Sequence, residues 1–108
     1  MKKILITILT FIPQILLANQ QTGVASWYGG ENKTLLKSNN KEPFAAHKTL
    51  KLGSKALVTS LKTKKSVIVT IVDRGPYSKA RILDVNIFAA KQLGFLKSGV
   101  TKITLTPL

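Results

Sequence analysis

Cysteine is absent from the 108 residues of the chain, and histidine occurs once, at position 47. Without cysteine there is no disulfide framework and no thiolate metal site, so packing and backbone pairing must stabilise the folded domain. A structural zinc site normally needs several cysteine or histidine ligands. We therefore expect neither a metal ion nor a cofactor.

Acidic residues are also scarce, since the chain has four of them against 17 lysines and arginines, for a formal net charge of +13 at pH 7. This balance favours polyanionic partners, among them nucleic acid, anionic membrane surfaces and wall polymers. The sequence has only two arginines and no cluster of arginine and aromatic side chains, so we do not expect nucleic acid as a partner. Many of the scattered lysines are equally consistent with a solubilising surface.

The first 18 residues have the pattern of a secretory signal peptide. Two lysines precede an apolar run over 4–17, and Ala18 provides a small residue for cleavage. The run contains a proline and a glutamine, and its length of about fourteen residues is short of the roughly 20 that span a bilayer. We expect a signal peptide at 1–18, one exported domain at 19–108, and no stable membrane anchor after cleavage.

Alternating and β-branched residues predict a mainly β domain. Five segments have the composition of strands and are separated by turn residues, namely 22–28, 55–61, 66–72, 81–85 and 100–106. Asn86 is a suitable N-cap, the apolar residues over 87–93 have helical spacing, and Gly94 is a typical helix end. The sequence therefore predicts a small barrel of five or six strands with one short helix.

Asp73 is the strongest candidate for chemistry, because a β-branched strand ends on it and an Arg-Gly-Pro turn follows. We expect its carboxyl group and the imidazole of His47 to face each other. The simpler alternative is that Asp73 bonds to its own turn and that His47 is structural. Arg74 is expected to pair with Asp73 or Asp84. Asp84 is expected to be a structural partner of Arg81 or Arg74, because an unpaired buried charge is costly.

Trp27 and Tyr28 are adjacent on a predicted strand, so their side chains should point to opposite faces. One of them should be in the core, and the other is a candidate to line a surface that stacks on sugars. Residues 31–43 form a long polar segment typical of a loop. A loop glutamate is usually a solvated side chain, but either Glu31 or Glu42 is a candidate second carboxylate.

Six segments together resemble the RlpA (rare lipoprotein A-like) family. They are Ala25-Ser-Trp-Tyr-Gly29, Ala45-Ala-His-Lys-Thr-Leu50 with Leu52-Gly53, Val69 through Asp73-Arg-Gly-Pro-Tyr77, Arg81-Ile-Leu-Asp84, Ala89-Ala90 with Leu93-Gly94, and Gly99-Val100. The resemblance covers almost all of 19–108. It implies a six-stranded double-psi β-barrel, a fold shared with expansins.

The resemblance further implies an endolytic lytic transglycosylase, a carbon–oxygen lyase acting on polysaccharide. Such an enzyme cleaves peptidoglycan glycan strands, here expected to be denuded ones, between N-acetylmuramic acid and N-acetylglucosamine, leaves a 1,6-anhydro end and serves wall remodelling or septation. A glutamate-containing segment of the family is absent here, which leaves the accessory acid open. The implied site residues are Asp73 and His47 as catalytic, Glu42 or Glu31 as accessory acid, and Trp27, Tyr28 and Tyr77 as substrate-binding.

An alternative remains for the same fold. Some barrels of this kind bind polysaccharide without cleaving it, so a non-catalytic, expansin-like module that binds peptidoglycan is the second hypothesis. In either case we expect a monomeric protein exported to the periplasm or cell envelope, with peptidoglycan glycan strands as its partner.

Overall fold

This computed structural model describes residues 19–28 and 41–108 of the chain, which contain six strands and one helix. The predicted signal peptide at 1–18 and Glu31 lie outside the described residues. The elements are β1 Gln21–Tyr28, β2 Phe44–His47, β3 Lys55–Ser60, β4 Ser66–Asp73, β5 Arg81–Asn86, α1 Ile87–Leu93 and β6 Val100–Pro107. Within residues 19–28 and 41–108, no helix has the length and hydropathy needed to cross a membrane.

The strands close into one barrel in the order β1-β5-β2-β4-β3-β6. β1 is parallel to β5 and β2 is parallel to β4, whereas the pairs β1–β6, β2–β5, β3–β4 and β3–β6 are antiparallel. Closure pairs every strand on both sides, which removes the exposed edges of an open sheet. The prediction of a mainly β, six-stranded barrel with one short helix is confirmed.

The barrel interior is filled by aliphatic side chains that alternate along the strands. Leu83 and Val85 of β5 are fully buried, and so are Ile103 and Leu105 of β6. Because successive side chains on a strand point to opposite faces, the residue between each buried pair faces outward. Asp84, between Leu83 and Val85, is therefore on the outer face of β5.

Helix α1 packs against β1, β4 and β5 with Ala89, Ala90 and Leu93 buried. The side chain of Asn86 accepts a hydrogen bond from the backbone N–H of Ala89, which is the geometry of an N-cap. Gly94 ends the helix in the left-handed conformation with φ of 79°. The predicted helix and both of its caps are confirmed.

Strand β2 lies between β5 and β4, and a bulge in β4 determines which side chains share its faces. Ala45 is paired with Ile71, but Ala46 is paired with Asp73, so one residue of β4, Val72, is extra. Side chains two apart on a regular strand share a face, so Asp73 would otherwise point into the core with Ile71. The bulge instead places Asp73 beside Ala46 on the outer face.

Candidate active site

A row of four residues crosses the outer face of the barrel and forms the base of the candidate site. Asp73 of β4 pairs with Ala46 of β2, Ala46 pairs with Asp84 of β5, and Asp84 pairs with Ser26 of β1. Residues paired in register point to the same face. Ala46 has only a methyl group, so there is space between the two carboxylates. A cleft of about 350 Å³ opens here, with both aspartates in its wall.

Asp73 lines the cleft at the point where β4 ends. Its Oδ1 accepts a hydrogen bond of 2.7 Å from the backbone N–H of Arg74, so the carboxyl group also braces its own turn. Within the described residues this is the hydrogen bond that its carboxyl group makes. Gly75 follows with φ of 128°, which side chains rarely tolerate, and Pro76 is buried behind it. This turn forms one lip of the cleft.

Asp84 lines the opposite wall and belongs to a polar network. Its Oδ1 accepts hydrogen bonds from Ser26 Oγ and, at 2.9 Å, from Arg81 Nη1, and Arg81 also donates to Ser26 Oγ. The predicted pairing with Arg81 is thus present. That the same carboxylate lines the cleft was not predicted from the sequence. Its position between two buried apolar residues of β5 was a usable signal, because alternation directs it outward.

The imidazole of His47 does not line the cleft, so the expectation that it faces Asp73 there is not met. His47 follows Ala45 by two residues and shares its core-facing side of β2, and it is 3% exposed. Its Nδ1 accepts backbone N–H groups from Thr49 and Leu50 at 3.1 and 3.0 Å. In the neutral ring the proton is then on Nε2, which donates to Gln21 Oε1 at 3.1 Å.

Burial and neighbouring positive charges favour the neutral form of this imidazole. Burial lowers the pKa of His47 first, and the positive charges of Arg74 and Lys48 lower it further. With both ring nitrogens engaged inside the protein, His47 has no free nitrogen to offer a substrate. It is built as a hydrogen-bonding clamp on the loop that follows β2.

Arg74 connects that loop to the turn that follows Asp73. Its Nη1 donates to the carbonyl oxygens of His47 and Leu50 at 3.2 and 2.6 Å. The prediction that Arg74 pairs with Asp73 or Asp84 is wrong, because the ion pair of the described residues joins Arg81 and Asp84. His47 therefore shapes the loop at 48–50, and that loop holds the guanidinium of the residue that directly follows Asp73.

The adjacent aromatic residues of β1 point to opposite faces, as expected. Trp27 packs against the core cluster, and its Nε1 donates to the carbonyl oxygen of Leu96 at 3.0 Å, whereas Tyr28 lines the cleft. Tyr77 lines the cleft from the lip and is 90% exposed. Tyr28 and Tyr77, rather than Trp27, are the aromatic side chains positioned to meet a ligand.

The two glutamates are not part of the described cleft. Glu42 is exposed, its side chain does not line the cleft, and its carbonyl oxygen accepts a hydrogen bond from Asn86 Nδ2 at 2.7 Å. Glu31 lies outside the described residues. Over residues 19–28 and 41–108, no group of three or more His, Cys, Asp or Glu side chains is arranged to hold a metal ion.

Comparison with known proteins identifies the family of this chain. The family model described as lytic transglycolase matches residues 20–105. A protein of Aquifex aeolicus named probable endolytic peptidoglycan transglycosylase RlpA is 46% identical over 83 residues, which is 72% of this chain and 37% of that protein. An endolytic peptidoglycan transglycosylase RlpA of Rickettsia felis is 40% identical over 104 residues, or 89% of this chain and 46% of that protein. The chain thus spans less than half the length of these curated relatives.

Solved structures agree on the fold. An expansin of Clavibacter michiganensis matches with a TM-score of 0.62 and 18% identity, over 82% of this chain and 50% of that one. A Streptomyces papain inhibitor matches with a TM-score of 0.62 and 17% identity, over 82% of this chain and 94% of that one. At such identities the likeness concerns the barrel alone, since one fold carries many functions.

Proposed function

This chain belongs to the RlpA-like lytic transglycolase family of double-psi β-barrels, and we propose that it is an endolytic lytic transglycosylase cutting peptidoglycan glycan strands in the cell envelope. One observation carries the proposal. Asp73 lies in a cleft of about 350 Å³, and within the described residues its carboxyl group has a single backbone partner and no ion pair. The names of the curated relatives, both called endolytic peptidoglycan transglycosylases, support peptidoglycan as the substrate class.

In the first step, the Asp73 carboxyl group donates its proton to the glycosidic oxygen between the muramyl residue and the following N-acetylglucosamine. The bond from muramyl C1 to that oxygen breaks, and oxocarbenium character develops at C1. A positioned general acid contributes typically about 10²–10⁴-fold to such a step. The neighbouring Asp84 is a poorer candidate for the acid, because Arg81 and Ser26 both bond to its Oδ1.

In the second step, the muramyl 6-hydroxyl attacks C1 and returns its proton to the Asp73 carboxylate. A 1,6-anhydro ring forms, and the acid is regenerated. Because the nucleophile belongs to the same sugar, its effective concentration is high and no water has to be activated. One carboxyl group can therefore serve both steps, and the second carboxylate of a hydrolase is not needed.

The two tyrosines supply a surface for the sugar rings. Tyr28 on β1 and Tyr77 on the lip line the same cleft as Asp73. Aromatic rings bury apolar sugar faces, and the phenolic hydroxyl groups offer hydrogen bonds. His47 acts in this proposal as a positioning residue, because its loop holds the side chain of Arg74. In this proposal the tyrosines bind the glycan strand, and the loop held by His47 fixes the turn that carries Asp73.

Digestion of denuded sacculi by the purified protein tests this proposal. We expect mass spectrometry to find fragments with anhydromuramyl ends, and we expect Asp73→Asn to remove nearly all of them. Glu42→Gln is a matched control, because it removes an exposed carboxylate whose side chain lies outside the cleft, and it should leave the yield close to wild type.

Two results would contradict cleavage by Asp73: no anhydromuramyl ends from the wild-type protein, or an undiminished yield from Asp73→Asn. A non-catalytic binding module predicts the first of these together with retention on sacculi. That retention would survive Asp73→Asn and would fall steeply with salt, because lysine contacts to an anionic polymer are screened.

A further inference from the structure

A second cavity lies on the far side of the catalytic lip. This side groove has a volume of about 410 Å³ and is lined by Lys48, Arg74, Gly75, Pro76 and Tyr77. Four of those residues, from Arg74 to Tyr77, also line the cleft that contains Asp73. The side groove and the cleft are therefore adjacent, and the lip separates them.

The side groove carries positive charge only, whereas two aspartates and two arginines line the cleft. The two charged side chains of the groove, Lys48 and Arg74, are both cations, and neither has a carboxylate partner among the described residues. After burial, these same two charges are what lower the pKa of His47, so their field extends into the protein. A positive groove next to a cleft whose charges balance is suited to a ligand that is neutral at one point and anionic at the next.

The geometry of both cations leaves donors for a ligand. Lys48 Nζ donates to the carbonyl oxygen of Ser78 at 3.0 Å, which fixes the ammonium over the lip. An ammonium group has three donors, and an arginine has five. Within the described residues, Arg74 uses only its Nη1. The remaining N–H groups of the pair match the oxygens of a carboxylate.

We propose that the side groove binds a carboxylate carried by the muramyl residue of the substrate, with Lys48 and Arg74 as the recognition residues. This inference rests on the proposed function, because that function supplies muramyl sugars. A muramyl residue carries a lactyl substituent on O3. In strands without stem peptides the lactyl group ends in a free carboxylate, and in strands with stem peptides it is an amide and the carboxylates lie farther out. N-acetylglucosamine has no such group.

Equilibrium binding to three oligosaccharides of equal length tests the groove. The ligands are peptidoglycan oligomers with free lactyl groups, the same oligomers with stem peptides, and N-acetylglucosamine oligomers. All proteins carry Asp73→Asn so that no ligand is consumed. We expect Lys48→Gln to weaken binding of carboxylate-bearing oligomers about five-fold, the scale of a partly exposed ion pair. Binding of the N-acetylglucosamine oligomers should not change.

Matched variants separate recognition from overall charge. Lys48→Arg should restore binding because it keeps the cation, whereas Lys62→Gln, an exposed lysine between β3 and β4 that lines neither cavity, should have no effect. A loss confined to the free-lactyl oligomers identifies the lactyl carboxylate, and a loss confined to the stem-bearing oligomers identifies the peptide. Both outcomes support the groove.

The inference is overturned if Lys48→Gln leaves both carboxylate ligands unaffected, weakens N-acetylglucosamine oligomers equally, or has no more effect than Lys62→Gln. Binding is measured without turnover, so failure of the groove and failure of the proposed cleavage are distinguishable. If binding of carboxylate-bearing oligomers depends on Lys48 but the protein forms no anhydromuramyl ends, carboxylate recognition in the side groove is supported and the proposed cleavage is rejected.

Discussion

Replacing His47 by asparagine or by alanine distinguishes a positioning role from direct chemistry. The imidazole Nδ1 accepts backbone N–H groups from Thr49 and Leu50, and its Nε2 donates to Gln21 Oε1. Asparagine carries its Oδ1 at nearly the position of a histidine Nδ1 and commonly accepts N–H groups two residues ahead. His47→Asn can therefore keep the loop that holds Arg74, whereas His47→Ala cannot.

The structure sets the expected magnitudes. His47→Ala removes three hydrogen bonds of a side chain that is 3% exposed. At roughly 1 kcal/mol net for each bond, and with a cavity left behind, we expect the free energy of unfolding to fall by about 3–4 kcal/mol. His47→Asn loses only the bond to Gln21 and part of the ring volume, for about 1–2 kcal/mol.

Urea denaturation measures these losses, and anhydromuramyl release at a temperature where both variants are folded measures activity. We expect His47→Asn to keep most of the wild-type rate and His47→Ala to lose at least about ten-fold, a change of roughly 1.4 kcal/mol in the barrier. If His47→Asn is folded like the wild type but as inactive as His47→Ala, the imidazole itself takes part in the chemistry and the positioning account is wrong.

Three further predictions follow from the polar contacts. Because the pKa of His47 is lowered in the folded state, the unfolded chain binds the proton first as the pH falls. The free energy of unfolding should therefore keep its full value above pH 6.5 and decrease below it, by at most about 1.4 kcal/mol per pH unit. Urea midpoints measured against pH should show this decrease, and His47→Asn should flatten it. Asp84→Asn leaves Arg81 without its ion-pair partner, and we expect a loss of about 1–2 kcal/mol that is partly recovered in the double variant with Arg81→Gln; additive losses in this mutant cycle would contradict the coupling. Asn86→Ala removes the N-cap of α1 together with the hydrogen bonds to the Phe44 N–H and the Glu42 carbonyl oxygen. We expect the free energy of unfolding to fall by about 2–4 kcal/mol. An unchanged midpoint of thermal unfolding would refute this structural role of Asn86.

Local signals were enough for much of the fold. The helix over 87–93 was predicted with both caps, because a cap residue, an apolar spacing and a terminal glycine agree there. The predicted bounds of the five strands differ from the observed bounds by at most one residue at either end. Strand β2 was not assigned, since Phe44–His47 is four residues long and contains two alanines. Such a short buried segment has no periodicity of its own, and its two partners determine its conformation.

The candidate site was only partly predictable for a related reason. Asp73 was identified from the residues around it, whereas the sequence left open which of Trp27 and Tyr28 faces outward; Asp73 and Tyr28 both line the cleft. Alternation assigns side chains to faces only while the register is regular. The bulge at Val72 moves Asp73 to the face opposite His47. The local sequence contains no signal that predicts this bulge. The outward direction of Asp84 could be predicted from its two apolar neighbours. Its position across Ala46 from Asp73, however, depends on the pairing of three strands.

Two carboxylates in one cleft also raise the question of hydrolysis. Asp73 and Asp84 are two strand spacings apart, roughly 9–10 Å between strand axes, and an inverting glycosidase also uses two carboxyl groups with room for a water molecule between them. In such an enzyme the second carboxylate activates a water molecule, which adds to C1. In the proposed reaction the muramyl 6-hydroxyl adds instead, and no atom of water enters the product.

Digestion of glycan strands in water enriched in heavy oxygen therefore tests the central claim most directly. The account predicts chain ends that have the anhydro mass, one water lighter than a reducing end, and that contain no heavy oxygen, with their release lost in Asp73→Asn. Newly formed reducing ends that carry heavy oxygen would contradict it, because they require a water molecule as the nucleophile.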